Sequence, residues 1–233
     1  RRRRVRRMTA GLFALALAGC HKDSSSTTPV DDGPCTGARC VEQAEAAMYY
    51  GDPTSAREPL EAVCKGKDGF ACFRLAELHQ HGRGGPMDLG QAVELYARSC
   101  ELAYGEGCER RAELAAAGEG GPEVELEFAV KACERDRPLA CLRGATQLNT
   151  GRGIERDTNK AIELYQKACG LAELDGCTAA GDLLSDPGGT PEAKARSYAA
   201  YNTACKRHNA YGCLKVGVAF HEGVGVPASP EAA

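Results

Sequence analysis

The sequence predicts an all-α fold, an α-solenoid in which αα-hairpins follow one another as repeats. Two cysteines eight positions apart occur five times, and the first cysteines of successive pairs lie 36, 33, 36 and 36 residues apart. Apolar residues at helical spacing occur between the pairs. A constant period of roughly 20 to 50 residues is typical of stacked repeats, in which each unit packs only on its neighbours. The ten cysteines are Cys64 and Cys72, Cys100 and Cys108, Cys133 and Cys141, Cys169 and Cys177, and Cys205 and Cys213.

The N-terminal segment predicts export. Residues 1–20, RRRRVRRMTAGLFALALAGC, place a cationic stretch before an apolar run and small residues. This is the pattern of a secretory signal peptide, and the apolar run is shorter than the roughly 20 residues of a membrane-spanning helix. The final LAGC resembles the bacterial lipobox, which implies a lipid on Cys20, and His21 after it implies sorting to the outer membrane. An ordinary signal peptide that ends near Cys20 is the alternative.

The charge and cysteine counts limit the partners. Residues 21–39 begin with HKDSSSTTPVDDGP and are expected to form a flexible tether before a repeat body at 40–233. Removing the six arginines of residues 1–20 leaves 23 basic against 32 acidic residues, a net charge of about −9. This balance argues against nucleic acid and against docking on anionic lipid. Thirteen cysteines become twelve if Cys20 carries a lipid, and we expect Cys35 and Cys40 to form a disulfide in a distorted N-terminal half-repeat.

Each unit is predicted to be a helix A that ends at the first cysteine and a helix B that starts at the second. In helix B, a small residue follows the second cysteine by four positions and a glycine follows it by twelve, where we expect the glycine to end the helix. The small residues are Ala76, Ala112, Ala145, Gly181 and Gly217, and the glycines are Gly84, Gly120, Gly153, Gly189 and Gly225.

Helix A has its own signals. Asp88, Asp157 and Thr190 are predicted N-caps. Tyr96, Tyr165 and Tyr201 lie four residues before the first cysteine, and we interpret this column as core packing. Pro59 is expected to shorten or kink the first helix A. The final Ser229-Pro230-Glu231 resembles the start of another helix A, so we expect the sequence to be a fragment that lacks at least one repeat.

The cysteine spacing favours a structural role. Zinc sites usually place paired cysteines two to four residues apart, and thioredoxin-type pairs have two intervening residues. Here seven residues intervene in each pair. Paired cysteines persist as disulfides in the oxidising compartments that exported proteins reach. We therefore expect disulfides and no metal or other cofactor.

The pattern A-x-E-L-Y-x-x-x-C at 92–100 and 161–169, the cysteine spacing and the 36-residue period resemble the cysteine-rich bacterial Sel-1-like repeat proteins, relatives of tetratricopeptide repeats. The resemblance covers about residues 40–233. It implies a superhelix of disulfide-linked αα-hairpins, with the bond inside each hairpin. It also implies a curved surface that binds proteins or peptides.

Some relatives in this branch are named penicillin-binding proteins or β-lactamases. Enzymes of that type need a serine with a lysine three residues later, and none of the eight serines here has one. The one close histidine pair, His79 and His81, is interpreted as solvated helix-end residues. We therefore expect no catalytic residues, and a lipid-anchored envelope scaffold whose partner is a protein, a peptide or a cell-wall component. A β-lactamase-like or penicillin-binding activity is the alternative.

Overall fold

The structure, a computed structural model, describes residues 37–186, 188–231 and 233. Within these ranges the regular structure is entirely helical, which confirms the all-α prediction. The helices are α1 (Ala38–Tyr50), α2 (Thr54–Lys65), α3 (Gly69–Gln80), α4 (Leu89–Glu101), α5 (Gly105–Ala116), α6 (Gly121–Glu134), α7 (Pro138–Thr150), α8 (Thr158–Gly170), α9 (Leu174–Leu184), α10 (Pro191–Lys206) and α11 (Ala210–Glu222).

The helices pack in chain order. The even-numbered helices α2 to α10 are the predicted helices A, and the odd-numbered helices α3 to α11 are the helices B. Each helix packs on the next one along the chain, as in a solenoid. Helix α1 packs on α2 as a helix B would, and it begins at Ala38, two residues before the predicted start of the repeat body. The predicted signal segment, Cys20 and Cys35 lie outside the described residues.

The turn inside each hairpin is shorter than predicted. Helices A end one residue after the first cysteine, but helices B begin three residues before the second, not at it. The third residue after the first cysteine has a φ of 58° to 76° in all five turns, although it is never glycine. The next residue donates its N–H to a carbonyl five residues back, as Tyr104 does to Ser99 at 3.1 Å. This is the Schellman arrangement, which ends helix A so tightly that helix B starts early.

Every one of these five hairpins is closed by a disulfide. The bonds join Cys64 to Cys72, Cys100 to Cys108, Cys133 to Cys141, Cys169 to Cys177, and Cys205 to Cys213. The joined Cα atoms lie 4.4 to 4.7 Å apart. The short turn makes this approach possible, because it places the end of helix A beside the first turn of helix B.

The predicted tyrosine column is buried, and so is the small-residue column except at the half-buried Gly217 of α11. Tyr96, Tyr165 and Tyr201 are 0%, 4% and 4% exposed, which confirms their core role. The hydroxyl of Tyr96 donates to the side-chain oxygen of Gln80 at 2.7 Å, so its polar end is satisfied. A Cβ at Gly181 would lie 2.6 Å from the Tyr201 ring. The small-residue column therefore lets the aromatic column of the next helix A approach closely.

The sequence suggested that the glycine column ends helix B, but each helix B ends before its glycine. Helix α3 ends at Gln80, before Gly84. Gly84 has a φ of 72°, and a Cβ there would lie 2.2 Å from the carbonyl oxygen of Pro53. Gly225 stands in the same relation to Lys194, at 2.3 Å. These glycines let the loop after helix B touch the start of helix A in the same unit.

The predicted caps are confirmed. The side chains of Asp88, Asp157 and Thr190 each accept a backbone N–H from the first turn of their helix. Pro59 lies inside α2, which has 12 residues against 13 to 16 in the other helices A. The proline therefore coincides with a slightly shorter helix but does not end it.

Candidate functional site

A groove lies between two consecutive helices A, over the helix B that connects them. At the first such junction, formed by α2, α3 and α4, it encloses about 340 Å³. We call it groove 1. It is lined by Glu61, Cys64, Lys65, Leu75, His79, Gln91, Glu94, Leu95 and Arg98. The disulfide that closes the hairpin therefore contributes to its wall, and the charged residues come from the two helices A.

The same groove occurs three repeats later. The junction of α8, α9 and α10 encloses about 210 Å³ and is called groove 4. Its lining residues each lie 105 positions after a lining residue of groove 1, and they are Gln166, Cys169, Ala180, Arg196, Ala199, Ala200 and Thr203. Because the two cavities use equivalent positions, the groove is a property of the repeat and not of one local sequence.

The two junctions between them are filled by the chain's own side chains. Arg111, at the position of Leu75, is 8% exposed, and its guanidinium carbon lies 5.2 Å from the centre of the Phe128 ring. At the next junction Gly144 takes this position, and Leu164 covers it with a methyl carbon 3.4 Å from where a Cβ would stand. An open groove therefore depends on which residues occupy a few positions of the repeat.

Groove 1 combines apolar and charged walls. Leu75 is 4% exposed and belongs to the core, whereas Glu61 and Lys65 form an exposed ion pair at 2.8 Å. Arg98 approaches the Lys65 carbonyl at 3.5 Å. Within the described ranges, the carboxylate of Glu94 takes part in no hydrogen bond or ion pair. It is the acidic group of the groove that is left available.

His79 differs from the sequence expectation. Its Nδ1 is buried and has no hydrogen-bond partner among the described residues, whereas His81 is exposed. Burial lowers the pKa of His79, and the positive charge of Arg57 lowers it further, against the opposing effects of Asp88 and Glu61. Burial therefore disfavours the charged imidazolium, and the unpaired Nδ1 is shielded from solvent. The signal was in the repeat alignment, where Ala115, Leu148 and Leu184 show that this column is an inward one.

Charged side chains on the helices B form ion pairs within one helix and between neighbouring units. Arg110 pairs with Glu113 at 2.7 Å, and Arg143 of the next helix B reaches Glu113 at 3.6 Å. Arg74 pairs with Glu77 in the same way one unit earlier. Each of these charged side chains has an ion-pair partner, although the buried Nε of Arg74 has no hydrogen bond among the described residues.

Another cavity, of about 320 Å³, lies between α10 and α11 and contains serines and lysines. The hydroxyls of Ser185 and Ser197 both donate to backbone carbonyls at 2.8 Å. The ammonium of Lys215 lies 5.2 Å from the centre of the Tyr211 ring. The serines are thus bonded to backbone, not to a lysine that could activate them.

The described residues contain no group of three or more histidine, cysteine, aspartate or glutamate side chains suited to a metal ion. Among the described helices, none has both the length and the hydrophobicity needed to cross a membrane. Of the predicted site residues, Cys40 is fully buried in α1.

Two curated proteins are similar to part of this chain. Cytochrome c oxidase assembly factor 7 of Xenopus tropicalis is 25% identical over 134 residues, covering 53% of this chain and 58% of that protein. Assembly factor 7A of Xenopus laevis is 27% identical over 115 residues, covering 45% and 50%. The chain thus spans about half the length of these curated relatives.

Two solved structures share the fold. The protective antigen c5321 of uropathogenic Escherichia coli, which displays an SLR fold, gives a TM-score of 0.57 at 17% identity, covering 83% of this chain and 43% of that one. A Sel1 repeat protein of Oxalobacter formigenes gives 0.53 at 18% identity, covering 84% and 81%. The Sel1 repeat family model matches residues 69–104, 139–172 and 210–233. The chain therefore has an α-solenoid fold and contains three segments that match the Sel1 repeat.

Proposed function

We propose that the protein is a lipid-anchored scaffold of the cell envelope that binds other proteins and performs no catalysis itself. The observation that carries the proposal is the groove between consecutive helices A, which is open at two equivalent junctions. Grooves between helices are common binding sites for peptide segments. The curated relatives are named as assembly factors, and a role in assembling other proteins fits a scaffold.

Export and anchoring rest on the sequence. The signal-like residues 1–20 and the lipobox-like LAGC support a lipid on Cys20 and an outer-membrane location. Expression with labelled palmitate tests this part: the wild-type chain should take up label and Cys20→Ser should not. Label in both proteins, or in neither, would contradict an anchor at Cys20.

Photocrosslinking tests the scaffold role. A photoreactive amino acid is placed at Gln91 in groove 1, at Arg196 in groove 4, and at the exposed Ala116 outside both grooves. In envelope preparations, the two groove positions should capture the same partner, and the Ala116 control should not. Capture of nothing at any groove position, or capture at Ala116 alone, would contradict the proposal.

The absence of catalysis needs its own measurement. The oxidised protein should neither hydrolyse a chromogenic cephalosporin nor retain labelled penicillin. Turnover that persists after Ser185→Ala and Ser197→Ala but disappears when the protein is removed with an antibody would show an unrecognised enzyme.

A further inference from the structure

We propose that groove 1 holds an arginine side chain from a basic segment of the partner. The inference rests on the scaffold role proposed above and names the chemistry of one of its contact points.

The junction of α4, α5 and α6 shows what this kind of groove accommodates. There Arg111 is buried, stacks on Phe128 and donates to the carbonyl of Glu119 at 2.8 Å. Burial lowers the pKa of Arg111, and the carboxylates of Glu127 and Glu119 oppose this effect. A guanidinium group therefore fits between two helices A of this repeat when a carboxylate from the second one lies near it.

Groove 1 retains the carboxylate but lacks the guanidinium. Glu94 occupies the position of Glu127, six residues before the first cysteine of its hairpin, and Leu75 occupies the position of Arg111. The volume of about 340 Å³ is open. Whereas Glu127 pairs with Lys131 at 2.6 Å, Glu94 has no ion pair within the described part of the chain. Groove 1 thus presents an unpaired carboxylate at the position from which Glu127 acts electrostatically on Arg111 at the next junction.

The other walls suit the same side chain. His79 also lines the groove, and its lowered pKa limits the positive charge that it adds there. Leu75 and Leu95 offer apolar surface to the methylene stem of an arginine. The amide of Gln91 adds a further polar group at the rim.

Two cations also line groove 1, and both are engaged. Lys65 is neutralised by Glu61 at 2.8 Å, and Arg98 lies against the Lys65 carbonyl. The four charged side chains of the lining therefore sum to zero, and Glu94 is the carboxylate among them that has no ion pair within the described ranges. The acidic excess of the mature chain, about −9, attracts basic segments at longer range. Arginine is favoured over lysine because its planar group donates to several separated acceptors at once.

A titration with three short peptides tests the inference on the full, oxidised chain. The probes are acetyl-Ala-Arg-Ala-amide and the same peptide with lysine or with citrulline, which keeps the shape of arginine without its charge. Binding is followed through the NMR signals of the His79 ring. The arginine peptide should shift these signals and bind about tenfold more tightly than the citrulline peptide.

The matched variants are Glu94→Gln and Glu163→Gln. Both residues are exposed, and both lie six positions before the first cysteine of their hairpin, but Leu164 covers the junction at Glu163. Glu94→Gln should weaken the binding of the arginine peptide about tenfold. Glu163→Gln should leave this binding unchanged. Equal binding of arginine and citrulline peptides, or equal effects of the two variants, would overturn the inference.

The result is separable from the scaffold proposal. If crosslinks at Gln91 and Arg196 capture a partner while the arginine peptide does not bind, groove 1 has a different ligand and the scaffold role stands. If the peptide binds as expected, the partner captured at Gln91 should carry an arginine-containing segment at the crosslinked site, and a crosslinked segment without arginine would overturn the inference.

Discussion

Replacing Arg152 with alanine is expected to lower the free energy of unfolding by about 2 kcal/mol. Its guanidinium donates to both carboxylate oxygens of Glu125, at 3.0 and 3.1 Å. Glu125 is 3% exposed, and its other cation, Arg143, is 4.0 Å away. Removing one partner of a fully buried ion pair costs about 3 to 5 kcal/mol. Because the Arg152 side chain is 69% exposed, solvent screening reduces the expected loss to about 2 kcal/mol.

The matched change is Glu125→Ala. Three other repeats have alanine in this column, and Ala56, Ala92 and Ala161 are all fully buried. Removing the carboxylate therefore restores the usual packing and leaves only a solvated cation, so we expect a loss within about 1 kcal/mol. Urea unfolding of both single variants and the double variant gives the coupling energy. A larger loss for Glu125→Ala than for Arg152→Ala would refute the reasoning.

Three further outcomes are expected. Ala172→Gly should raise the free energy of unfolding by about 1 kcal/mol, because glycine adopts the φ of 76° at this position without the strain of a Cβ. A lower free energy of unfolding in urea would show that the turn is unstrained. Since the pKa of His79 is lowered in the fold, wild-type stability relative to His79→Gln should fall as pH drops from 7 to 5, through the unfolded-state pKa of about 6.5; a pH-independent difference would contradict this. Under limiting reductant, mass mapping should find the partly exposed disulfide of Cys205 opened before the buried one of Cys100, and the reverse order would exclude control by access.

The repeat architecture could be predicted from the sequence because its signals are periodic and local. The cysteine spacing, the caps such as Asp88 and the column of Tyr96 recur in several units, and each depends on residues a few positions away. Repetition within one chain also separates positions that must be alike from those that are free to vary. The hairpin, its disulfide and its packing face can be predicted from these observations.

The details that failed depend on contacts between distant residues or on the conformation of a turn. No glycine marks the Schellman turn, since residues such as Ala103 adopt positive φ there. The fit of Gly84 against Pro53 arises only when the loop folds back on the start of α2. His79 belongs to an inward column, but its unpaired nitrogen is defined by the burial that α2 and α4 create around it. The fit of Gly84 and the burial of the His79 nitrogen both depend on residues far apart in the sequence, so a short segment does not reveal them.

One column of the repeat contributes to whether a junction is open. It is occupied by Leu75 at groove 1, Arg111 and Gly144 at the filled junctions, and Ala180 at groove 4. Each of the four junctions joins two helices A over one helix B, so a side chain in this column can fill a groove, as Arg111 fills its own junction. A partner that spans both open grooves would bind at two points, and the second contact would form at high effective concentration. Two weak pockets three repeats apart can thus give a selective interaction that neither pocket supplies alone.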